Sequence, residues 1–365
     1  MRIRRVDVYA VRYTLRGGRF AMSGGRVATE QDATVVRLET DDGLVGFGEQ
    51  CVFSPGFLPG HGEATRATLA LLAPAVLGLD PRQVEVVEAA MRAAVADHAY
   101  ARCAIDLACW DLLGKATGMR VAELLGGVFQ EEVPLYTGVG IAAPEEMRAR
   151  AREVVDAGYR HVQLKVGTAW REDVARVEAC LDELSGADRV IVDANGFWPQ
   201  AEAVQAAAAL DGRDVYLEQP CASIDECLEV RRRSSRPLVL DESLTDLAAL
   251  ERGRTAADAV RLKLSRFGGI TPLRRARDLA AAWGLQMTLE DSGGGDVVTA
   301  AMVHLSASVP QRLLLAGFLV GEMVNERIGH GAPRAVGGAA RLPDAPGLGV
   351  DVDERALGPS VLRVE

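Results

Sequence analysis

The stretch from residue 161 to residue 292 is a series of short apolar segments that each end in charged residues. In chain order they are HVQLKV (161–166), VIVDAN (190–195), VYLEQP (215–220), LVLDES (238–243), VRLKLS (260–265) and MTLEDS (287–292). Amphipathic sequence separates them, and VPLYTGV (133–139) and LLLAGFLV (313–320) extend the series at its two ends. Eight apolar strands that alternate with helices predict an α/β fold with a parallel (β/α)8 barrel of the TIM type.

The charged residues at the ends of these strands form a regular ladder. Its members are Lys165, Asp193, Glu218, Asp241, Lys263 and Glu290. The successive spacings are 28, 25, 23, 22 and 27 residues, each close to one strand–helix unit. In a parallel barrel the carboxyl ends of all strands meet at one mouth, where the active site is built. The ladder therefore predicts a charged site at that mouth.

Three acids of the ladder, Asp193, Glu218 and Asp241, predict a metal site. Crowded carboxylates repel one another, and a hard divalent cation with oxygen ligands relieves that repulsion. This donor set suits Mg²⁺, whereas zinc would require His or Cys ligands, and neither residue belongs to the ladder. The alternative interpretation is that each acid only caps the helix that follows it.

Two lysines of the ladder, Lys165 and Lys263, are candidates for acid–base catalysis. Burial and a nearby dication would both lower the pKa of a lysine, so that it could act as a neutral base. The alternative is that each lysine only pairs with a neighbouring carboxylate. All five histidines lie outside the ladder, which disfavours a mechanism based on histidine.

The regions on either side of the barrel have different patterns. Residues 3–13 and 33–39 alternate like strands, Asp41-Asp42-Gly43 predicts a hairpin turn, and residues 63–125 have helical periodicity. Residues after 325 are rich in Gly and Pro. We therefore predict an N-terminal α+β domain (1–127), a catalytic barrel (128–325) and a C-terminal segment that returns to the first domain (326–365).

Composition and charge argue against several classes of function. The net charge is −10 and no Lys/Arg-rich run stands out, so we expect no nucleic-acid partner. We find no signal-peptide pattern and no apolar run of the length that crosses a bilayer, and we therefore expect a cytoplasmic protein without membrane contact. The six cysteines form no CxxC pair and are expected to be buried free thiols.

Taken together, these motifs resemble the enolase superfamily, specifically the muconate-lactonizing-enzyme-like branch of its mandelate racemase/muconate lactonizing enzyme group. The matching motifs run in the family's order: GLVGFGE (43–49), AIDLACWDLLGKATG (104–118), QLKVG (163–167), DAN (193–195), EQP (218–220), DES (241–243) and KLSRFGGI (263–270). The resemblance covers nearly the whole chain. It implies a modified barrel whose mouth is closed by an N-terminal capping domain that the C-terminus completes. It also implies Mg²⁺-dependent removal of the proton α to a substrate carboxylate, through an enediolate.

The resemblance implies a role for each residue of this site. The Mg²⁺ ligands would be Asp193, Glu218 and Asp241, and the lysines on opposite faces of the substrate's α-carbon would be Lys165 and Lys263. Asn195 and Glu242 match residues that support the metal ligands. The first lysine of the family's K-x-K motif is Gln163 here. Loss of that positive neighbour should leave the pKa of Lys165 less depressed.

A further resemblance concerns the substrate. The stretch 289–308 is similar to family members that act on proline derivatives, such as hydroxyproline-betaine 2-epimerases and cis-3-hydroxyproline dehydratases. In those proteins an acid at the position of Asp291 faces the substrate ammonium, and an aromatic residue near Phe318 covers the cationic nitrogen. Phe20 and Phe57 lie in the glycine-rich loops 16–25 and 53–62, and they are candidate lid residues. The substrate-binding candidates are therefore Asp291, Glu290, Phe318, Phe20 and Phe57.

The predicted function is 2-epimerisation, or elimination of water, on a proline-type amino acid or betaine. Dipeptide epimerase and muconate-type cycloisomerase are the alternatives within the family. From other classes, an aldolase-type barrel would use a lysine as a Schiff-base nucleophile, and a non-catalytic small-molecule-binding barrel needs no catalytic lysine. We expect a small carboxylate as the partner and a homo-oligomer as the assembly.

Overall fold

The described residues form two large sheets, a four-stranded antiparallel one and a seven-stranded parallel one, with helices packed against both, and three two-stranded antiparallel pairs. The structure is a computed structural model that describes residues 1–21, 23–56 and 60–365. In chain order its strands are β1 (Ile3–Thr14), β2 (Phe20–Ala21), β3 (Val27–Ala28), β4 (Glu30–Thr40), β5 (Val45–Val52), β6 (Glu132–Pro134), β7 (Tyr136–Val139), β8 (His161–Lys165), β9 (Arg189–Asp193), β10 (Tyr216–Glu218), β11 (Leu238–Leu240), β12 (Ala259–Lys263), β13 (Gln286–Glu290), β14 (Gly329–His330), β15 (Ala339–Arg341), β16 (Asp351–Val352) and β17 (Ser360–Val364).

The helices follow the predicted alternation with the strands. In chain order they are α1 (Gly62–Val76), α2 (Val84–Ala94), α3 (Ala99–Thr117), α4 (Val121–Leu124), α5 (Pro144–Asp156), α6 (Trp170–Leu181), α7 (Gln200–Ala209), α8 (Ile224–Arg233), α9 (Leu247–Gly253), α10 (Leu264–Phe267), α11 (Ile270–Ala282) and α12 (Asp296–Ala307). Short 3-10 helices cover Ser23–Gly25, Gln311–Leu313, Val320–Met323 and Glu354–Leu357. Within the described ranges, no helix combines the length and apolar character that crossing a membrane requires.

The parallel sheet is the barrel that the sequence predicts. Strands β7 to β13 lie side by side in chain order, and every neighbouring pair is parallel. Their side chains are largely buried, as at every position of β12, because helices cover the outer face of the sheet. The α/β fold with a modified barrel is therefore confirmed.

The predicted eighth strand, 313–320, is wrong as a continuous strand. Segment 314–317 instead makes one parallel bridge to each edge of the sheet, from Leu314 to Met287 and from Gly317 to Leu135. The amide of Leu315 donates to the carbonyl of Met287 at 2.8 Å. The 3-10 helices on both sides of this segment leave too few residues for a longer ladder. The segment nevertheless occupies the eighth position around the barrel.

The antiparallel sheet forms the core of the N-terminal capping domain. Its strand order is β17-β1-β4-β5, so the C-terminal strand is its outer member beside β1. Helix α3 packs directly on β5: a Cβ atom at Gly48 would lie 1.9 Å from the carbonyl oxygen of Ala104. Only glycine permits this approach, which explains the GFG sequence between Gly46 and Gly48. The six cysteines are buried and free, as predicted.

His304 connects three parts of the chain. Its Nδ1 accepts a hydrogen bond from the amide of Ala122 at 3.2 Å, and its Nε2 lies 3.2 Å from the carbonyl oxygen of Leu348. The ring therefore joins α12 of the barrel to α4 and to the C-terminal segment. Burial lowers the pKa of His304 to about 4, against an ordinary value of 6.5. The folded protein thus keeps this ring neutral at pH values where the unfolded chain protonates it.

We expect the free energy of unfolding to fall in weak acid because of His304. Below pH 6.5 the unfolded state binds a proton that the folded state excludes, and the difference persists down to about pH 4. The expected loss between pH 7 and pH 5 is about 2 kcal/mol. Urea unfolding followed by circular dichroism at both pH values measures it. His304→Gln should be less stable at pH 7 but should lose less stability towards pH 5. Equal losses in the two proteins would contradict this role.

Candidate active site

The ladder of charged residues surrounds one cavity at the barrel mouth. Five of its members are the last residue of a strand, and Asp241 follows β11 directly. The cavity has a volume of about 230 Å³. It is lined by Leu15, Arg16, Phe20 and Phe53 from the N-terminal domain, and by Tyr136, Thr137, Gly138, Gln163, Lys165, Asn195, Asp241, Glu242, Lys263, Glu290, Asp291, Ser292, Phe318 and Met323 from the rest of the chain.

The two lysines stand on opposite sides of this cavity. Lys165 ends β8 and Lys263 ends β12, the second and sixth of the eight positions around the barrel. Positions four apart in a ring of eight face each other across its centre. Both side chains line the cavity. A small molecule bound in this cavity would lie between the two amino groups.

Each lysine is paired with carboxylates, and this pairing reverses the expected pKa shift. Lys165 Nζ donates to Asp193 Oδ2 at 2.5 Å. Lys263 Nζ donates to Glu290 and lies 3.3 Å from Asp241 Oδ2. Burial lowers the pKa of both lysines, but the negative charges of these carboxylates outweigh it and raise the pKa. The carboxylates therefore set the direction of the shift, and the predicted lowering depends on a dication that would offset their charge.

Gln163 bridges two of the acids. Its Nε2 donates to Asp193 Oδ2 at 2.9 Å and to Glu218 Oε2 at 3.0 Å. Both carboxylates are fully buried. Burial, together with the charges of Asp193 and Asp241, raises the pKa of Glu218 to about 8. The three acids are thus close enough to repel one another through a dry interior.

Asp241 is held by groups from three directions. Arg266 Nη1 donates to its Oδ1 at 3.0 Å and to its carbonyl oxygen at 2.7 Å. The amide of Asp241 donates to Gln219 Oε1 at 2.9 Å. Burial raises the pKa of the carboxyl, but Lys263 and Arg266 outweigh burial and lower the pKa to about 2. Asp241 is therefore ionised at neutral pH.

Asn195 and Glu242 lie beside these acids. The Asn195 amide donates to Asp193 Oδ1 at 2.8 Å, and its Nδ2 donates to Asp193 Oδ2 and to Glu242 Oε1, both at 3.0 Å. Asn195 adopts a left-handed backbone with φ 46°, which places the amide and the side chain on one carboxylate. Burial and the charge of Asp241 raise the pKa of Glu242 to about 7. Its Oε2 is buried and has no hydrogen-bond partner among the described residues.

Arg261 is a component of the site that we did not identify from the sequence. It is fully buried, its Nε lies 2.6 Å from Glu218 Oε1, and its Nη1 donates to Glu290 Oε2 at 2.9 Å. The Nε contact is an ion pair without hydrogen-bond geometry. The guanidinium also lies 4.2 Å from the ring centroid of Tyr136. The sequence did contain one signal for it. Arg261 lies two residues before Lys263 in the same strand, and because side chains alternate along a strand, both lie on one face of the sheet.

Glu290 is the partner of three donors rather than an open substrate contact. Lys263, Arg261 and the hydroxyl of Tyr136 all donate to its carboxylate. The positive charges of Lys263 and Arg261 outweigh burial and lower the pKa of Glu290. Although Glu290 lines the cavity, its oxygens are directed at protein groups. Its carboxylate therefore acts mainly on Lys263, to which it is hydrogen-bonded.

Asp291 is buried at the cavity wall and anchored on two sides. Its Oδ2 accepts from the amide of Ser265 at 3.0 Å and from the hydroxyl of Ser265 at 2.5 Å. Its Oδ1 accepts from the amide of Ser292 at 2.8 Å. Burial raises the pKa of Asp291 to about 6. The carboxylate is therefore fixed in direction and has lone pairs left for a ligand.

Two of the three aromatic candidates line the cavity. Phe318 stacks on Tyr136 with ring centroids 4.8 Å apart. Phe20, in the short β2–β3 hairpin, contacts Phe53 edge to face at 5.9 Å. Phe57 lies outside the described residues. Phe20 and Phe318 thus both contribute apolar, aromatic surface to the cavity.

The donor set fits a hard divalent cation. Among the described residues, no three His, Cys, Asp or Glu side chains are grouped as metal ligands, and each predicted ligand pairs with a basic side chain instead. The three acids nevertheless lie at the ends of successive strands, and Gln163 ties two of them together. The raised pKa of Glu218 reflects burial first and then its acidic neighbours, whose repulsion a cation would relieve.

Two family profiles match the chain. Residues 4–126 match the "Mandelate racemase / muconate lactonizing enzyme, N-terminal domain", and residues 146–356 match "Enolase C-terminal domain-like". The chain belongs to the mandelate racemase/muconate lactonizing enzyme family. It is therefore an enzyme of the enolase superfamily, as the motifs predicted.

Individual relatives of the chain are lyases and isomerases. It is 40% identical over 365 residues to the cis-3-hydroxy-L-proline dehydratase of Roseibium aggregatum, with both chains covered completely. It is 30% identical to the N-succinyl-L-Arg/Lys racemase of Bacillus cereus, covering 98% of this chain and 97% of that protein. A solved structure of an enolase superfamily member from Roseovarius nubinhibens ISM, complexed with magnesium, superimposes with a TM-score of 0.93 and 36% identity over 100% of this chain and 99% of the other.

Proposed function

We propose that this enzyme dehydrates a cis-3-hydroxyproline-type amino acid in a Mg²⁺-dependent reaction that begins with loss of the α-proton. The observation that carries the proposal is the pair of lysines, Lys165 and Lys263, on opposite sides of one small cavity. Full-length similarity to a cis-3-hydroxy-L-proline dehydratase supports the choice of substrate.

The stereochemistry of this substrate requires groups on both faces of its ring. In the cis isomer the 3-hydroxyl and the carboxylate share one face, so the α-proton lies on the other. Removing that proton and protonating the departing hydroxyl therefore requires two groups on opposite sides. Lys165 and Lys263 meet this requirement, whereas one lysine could not reach both faces.

The proposed steps conserve atoms and charge. One lysine, as the neutral amine, takes the proton from C2, and the resulting enediolate expels the hydroxyl from C3. The other lysine, as the ammonium ion, gives that hydroxyl a proton, and it leaves as water. The product is the 2,3-unsaturated amino acid, which tautomerises to the cyclic imine. No external oxidant or reductant is needed.

The proposed metal ligands are Asp193, Glu218 and Asp241. When bound, Mg²⁺ would stabilise the negative charge that develops on the substrate carboxylate. Asp193 then has two effects, because it is also the acid whose charge raises the pKa of Lys165. Neutralising that charge lets burial lower the pKa of the lysine towards a useful base.

The rest of the cavity suits a cyclic secondary amine. Asp291 presents a fixed carboxylate to the substrate ammonium, and Phe318 and Phe20 provide apolar surface for the ring. Exclusion of water by these aromatic residues strengthens the electrostatic contacts inside.

Epimerisation at C2 is the second candidate function, and the same two lysines support it. One lysine would remove the α-proton and the other would return a proton from the opposite face. The similarity to a racemase of succinylated amino acids is consistent with this chemistry. The two functions differ only in whether a leaving group is present at C3.

Proton NMR in D₂O is the direct test. The Mg²⁺-loaded enzyme is incubated with cis-3-hydroxy-L-proline, its trans isomer, 4-hydroxyprolines, proline betaine and dipeptides, with and without EDTA. Loss of the α- and 3-proton signals of the cis isomer, with growth of the imine product, supports dehydration. Exchange at C2 with inversion but without product supports epimerisation. Turnover that persists after complete metal removal would exclude both mechanisms.

Glu218→Gln is expected to weaken divalent-cation binding by about a hundredfold or more, since loss of a group that only supports a ligand already costs 10- to 100-fold. Titration with Mn²⁺ followed by electron paramagnetic resonance measures affinity without turnover. Asp291→Asn is the matched control, because it removes a nearby buried acid outside the proposed ligand set. Equal affinities of wild type and Glu218→Gln would remove Glu218 from that set.

A further inference from the structure

The segment Gly293–Gly295 connects the cavity wall to the start of α12. It follows Asp291 and Ser292 directly, and it ends at Gly295, the residue before Asp296. Gly295 provides no side-chain cap for the helix. The first amides of α12 therefore need acceptors from elsewhere.

Glu49 of the capping domain supplies those acceptors. Its Oε1 accepts from the amide of Gly295 at 2.7 Å, and its Oε2 accepts from the amides of Val297 and Val298 at 3.1 Å each. The hydroxyl of Tyr13 donates to Oε1 at 2.6 Å. Glu49 is fully buried, so its four hydrogen bonds are made in a dry environment. A negative charge at this helix end is also favourable to the helix dipole.

A second contact holds the middle of the glycine segment. Gln31 Oε1 accepts from the amide of Gly294 at 2.9 Å. The packing is too close for side chains: a Cβ atom at Gly293 would lie 2.8 Å from Gln31 Oε1, and one at Gly295 would lie 2.5 Å from the Tyr13 hydroxyl oxygen. The segment is therefore pressed against the capping domain along its whole length.

We propose that Glu49 is a positioning residue of the active site: by holding the glycine segment and the start of α12 it sets the direction of Asp291 and Ser292 at the cavity wall. Asp291 is fixed on its other side by Ser265, which follows Lys263 by two residues. Its carboxylate is thus oriented between helix α10, which follows Lys263, and the segment that Glu49 holds. The role in substrate recognition rests on the proposed function, in which Asp291 receives the substrate ammonium.

The proposal predicts a defect in binding rather than in chemistry. Glu49→Gln keeps the size of the side chain but replaces one acceptor oxygen with a donor, so that an amide or the Tyr13 hydroxyl loses its partner. We expect KM to rise roughly tenfold or more, and kcat to change by less than about threefold, because Asp291 contacts substrate and transition state alike. Gln31→Met removes the Gly294 contact and a long contact from the Cys51 thiol, but it leaves the four hydrogen bonds of Glu49 in place, and a smaller rise in KM is expected.

Hydrogen–deuterium exchange tests the same proposal without turnover. In Glu49→Gln the amides of residues 292–298 should exchange roughly ten times faster or more, because a hydrogen bond that secures them is lost. Asp111→Asn is the matched control: this buried acid of α3 accepts from the amides of Phe47 and Leu348 at 3.0 Å each, and it does not line the cavity. Its exchange at residues 292–298 and its KM should match those of wild type.

The outcomes separate this proposal from the proposed function. Faster exchange with an unchanged KM would make Glu49 a structural residue only and would overturn the positioning role. Unchanged exchange at residues 292–293 in both Glu49→Gln and Gln31→Met would overturn it as well. If the wild-type enzyme converts no cyclic amino acid, the proposed function is wrong. Hydrogen–deuterium exchange at residues 292–293 alone then decides whether Glu49 positions Asp291 and Ser292 at the cavity wall.

Discussion

Lys165→Ala and Lys263→Ala are each expected to lower dehydration by about a thousandfold or more, since proton transfer by a positioned side chain commonly contributes about 10²- to 10⁴-fold. The two variants should differ in a partial reaction. The variant that lacks the base loses exchange of the α-proton. The variant that lacks the acid can still remove and return that proton, and it should incorporate deuterium into unreacted substrate.

The same NMR assay in D₂O distinguishes these outcomes. Lys263→Arg is a useful companion, because arginine retains the positive charge beside Glu290 but stays protonated at neutral pH and so cannot act as a neutral base. It should be folded and inactive. Circular dichroism verifies the fold of each variant. Full dehydration by either alanine variant would reject the two-lysine mechanism, and loss of exchange in both would contradict the division into one base and one acid.

Arg261→Met is expected to reduce the free energy of unfolding by about 3–5 kcal/mol, because it removes the basic side chain that pairs with buried Glu218. Arg261 lies between Glu218 and Glu290, and all three side chains are buried. Without the guanidinium, the two carboxylates face each other in a medium of low dielectric constant. Urea unfolding in the presence of EDTA measures this loss without a contribution from bound metal.

Arg231→Met is the matched control for this measurement. Arg231 also pairs with a carboxylate, donating to both oxygens of Asp258 at 2.7 and 2.9 Å, but its side chain is 35% exposed. A pair of that kind contributes at most about 1 kcal/mol. Arg261→Lys should recover part of the lost stability, because it restores the charge. A loss in Arg261→Met no larger than that in Arg231→Met would show that the burial of Arg261 has no special consequence.

Most of the fold could be predicted because it repeats. The apolar segments recur at the length of one strand–helix unit, and that period is a property of local sequence. The helix starts of the barrel are also local, as in α8, where Ser223 and Glu226 form a capping box. The prediction of an eighth strand was wrong. The apolar content of this segment suggests a strand, but the 3-10 helices on both sides of it leave too few residues to form one.

The site could be predicted only as a set of positions. Strand ends of a parallel barrel converge, so the six members of the ladder could be placed at one mouth without knowing any contact. Their partners were not predictable in the same way. Arg261 looks like one more charged residue in VRLKLS, and its contacts with Glu218 and Glu290 depend on strands that are far away along the chain.

The sequence by itself thus determined the fold class, the family and the identities of the two lysines and three acids as candidates, because these follow from periodicity and from motifs that are read locally. Only the tertiary structure decided which charge offsets which. The pKa of Lys165 rises rather than falls because a 2.5 Å contact with Asp193 outweighs burial, and that balance depends on distance. Glu49 meets Gly295 across 246 residues of chain, a contact that exists only when both domains are folded together.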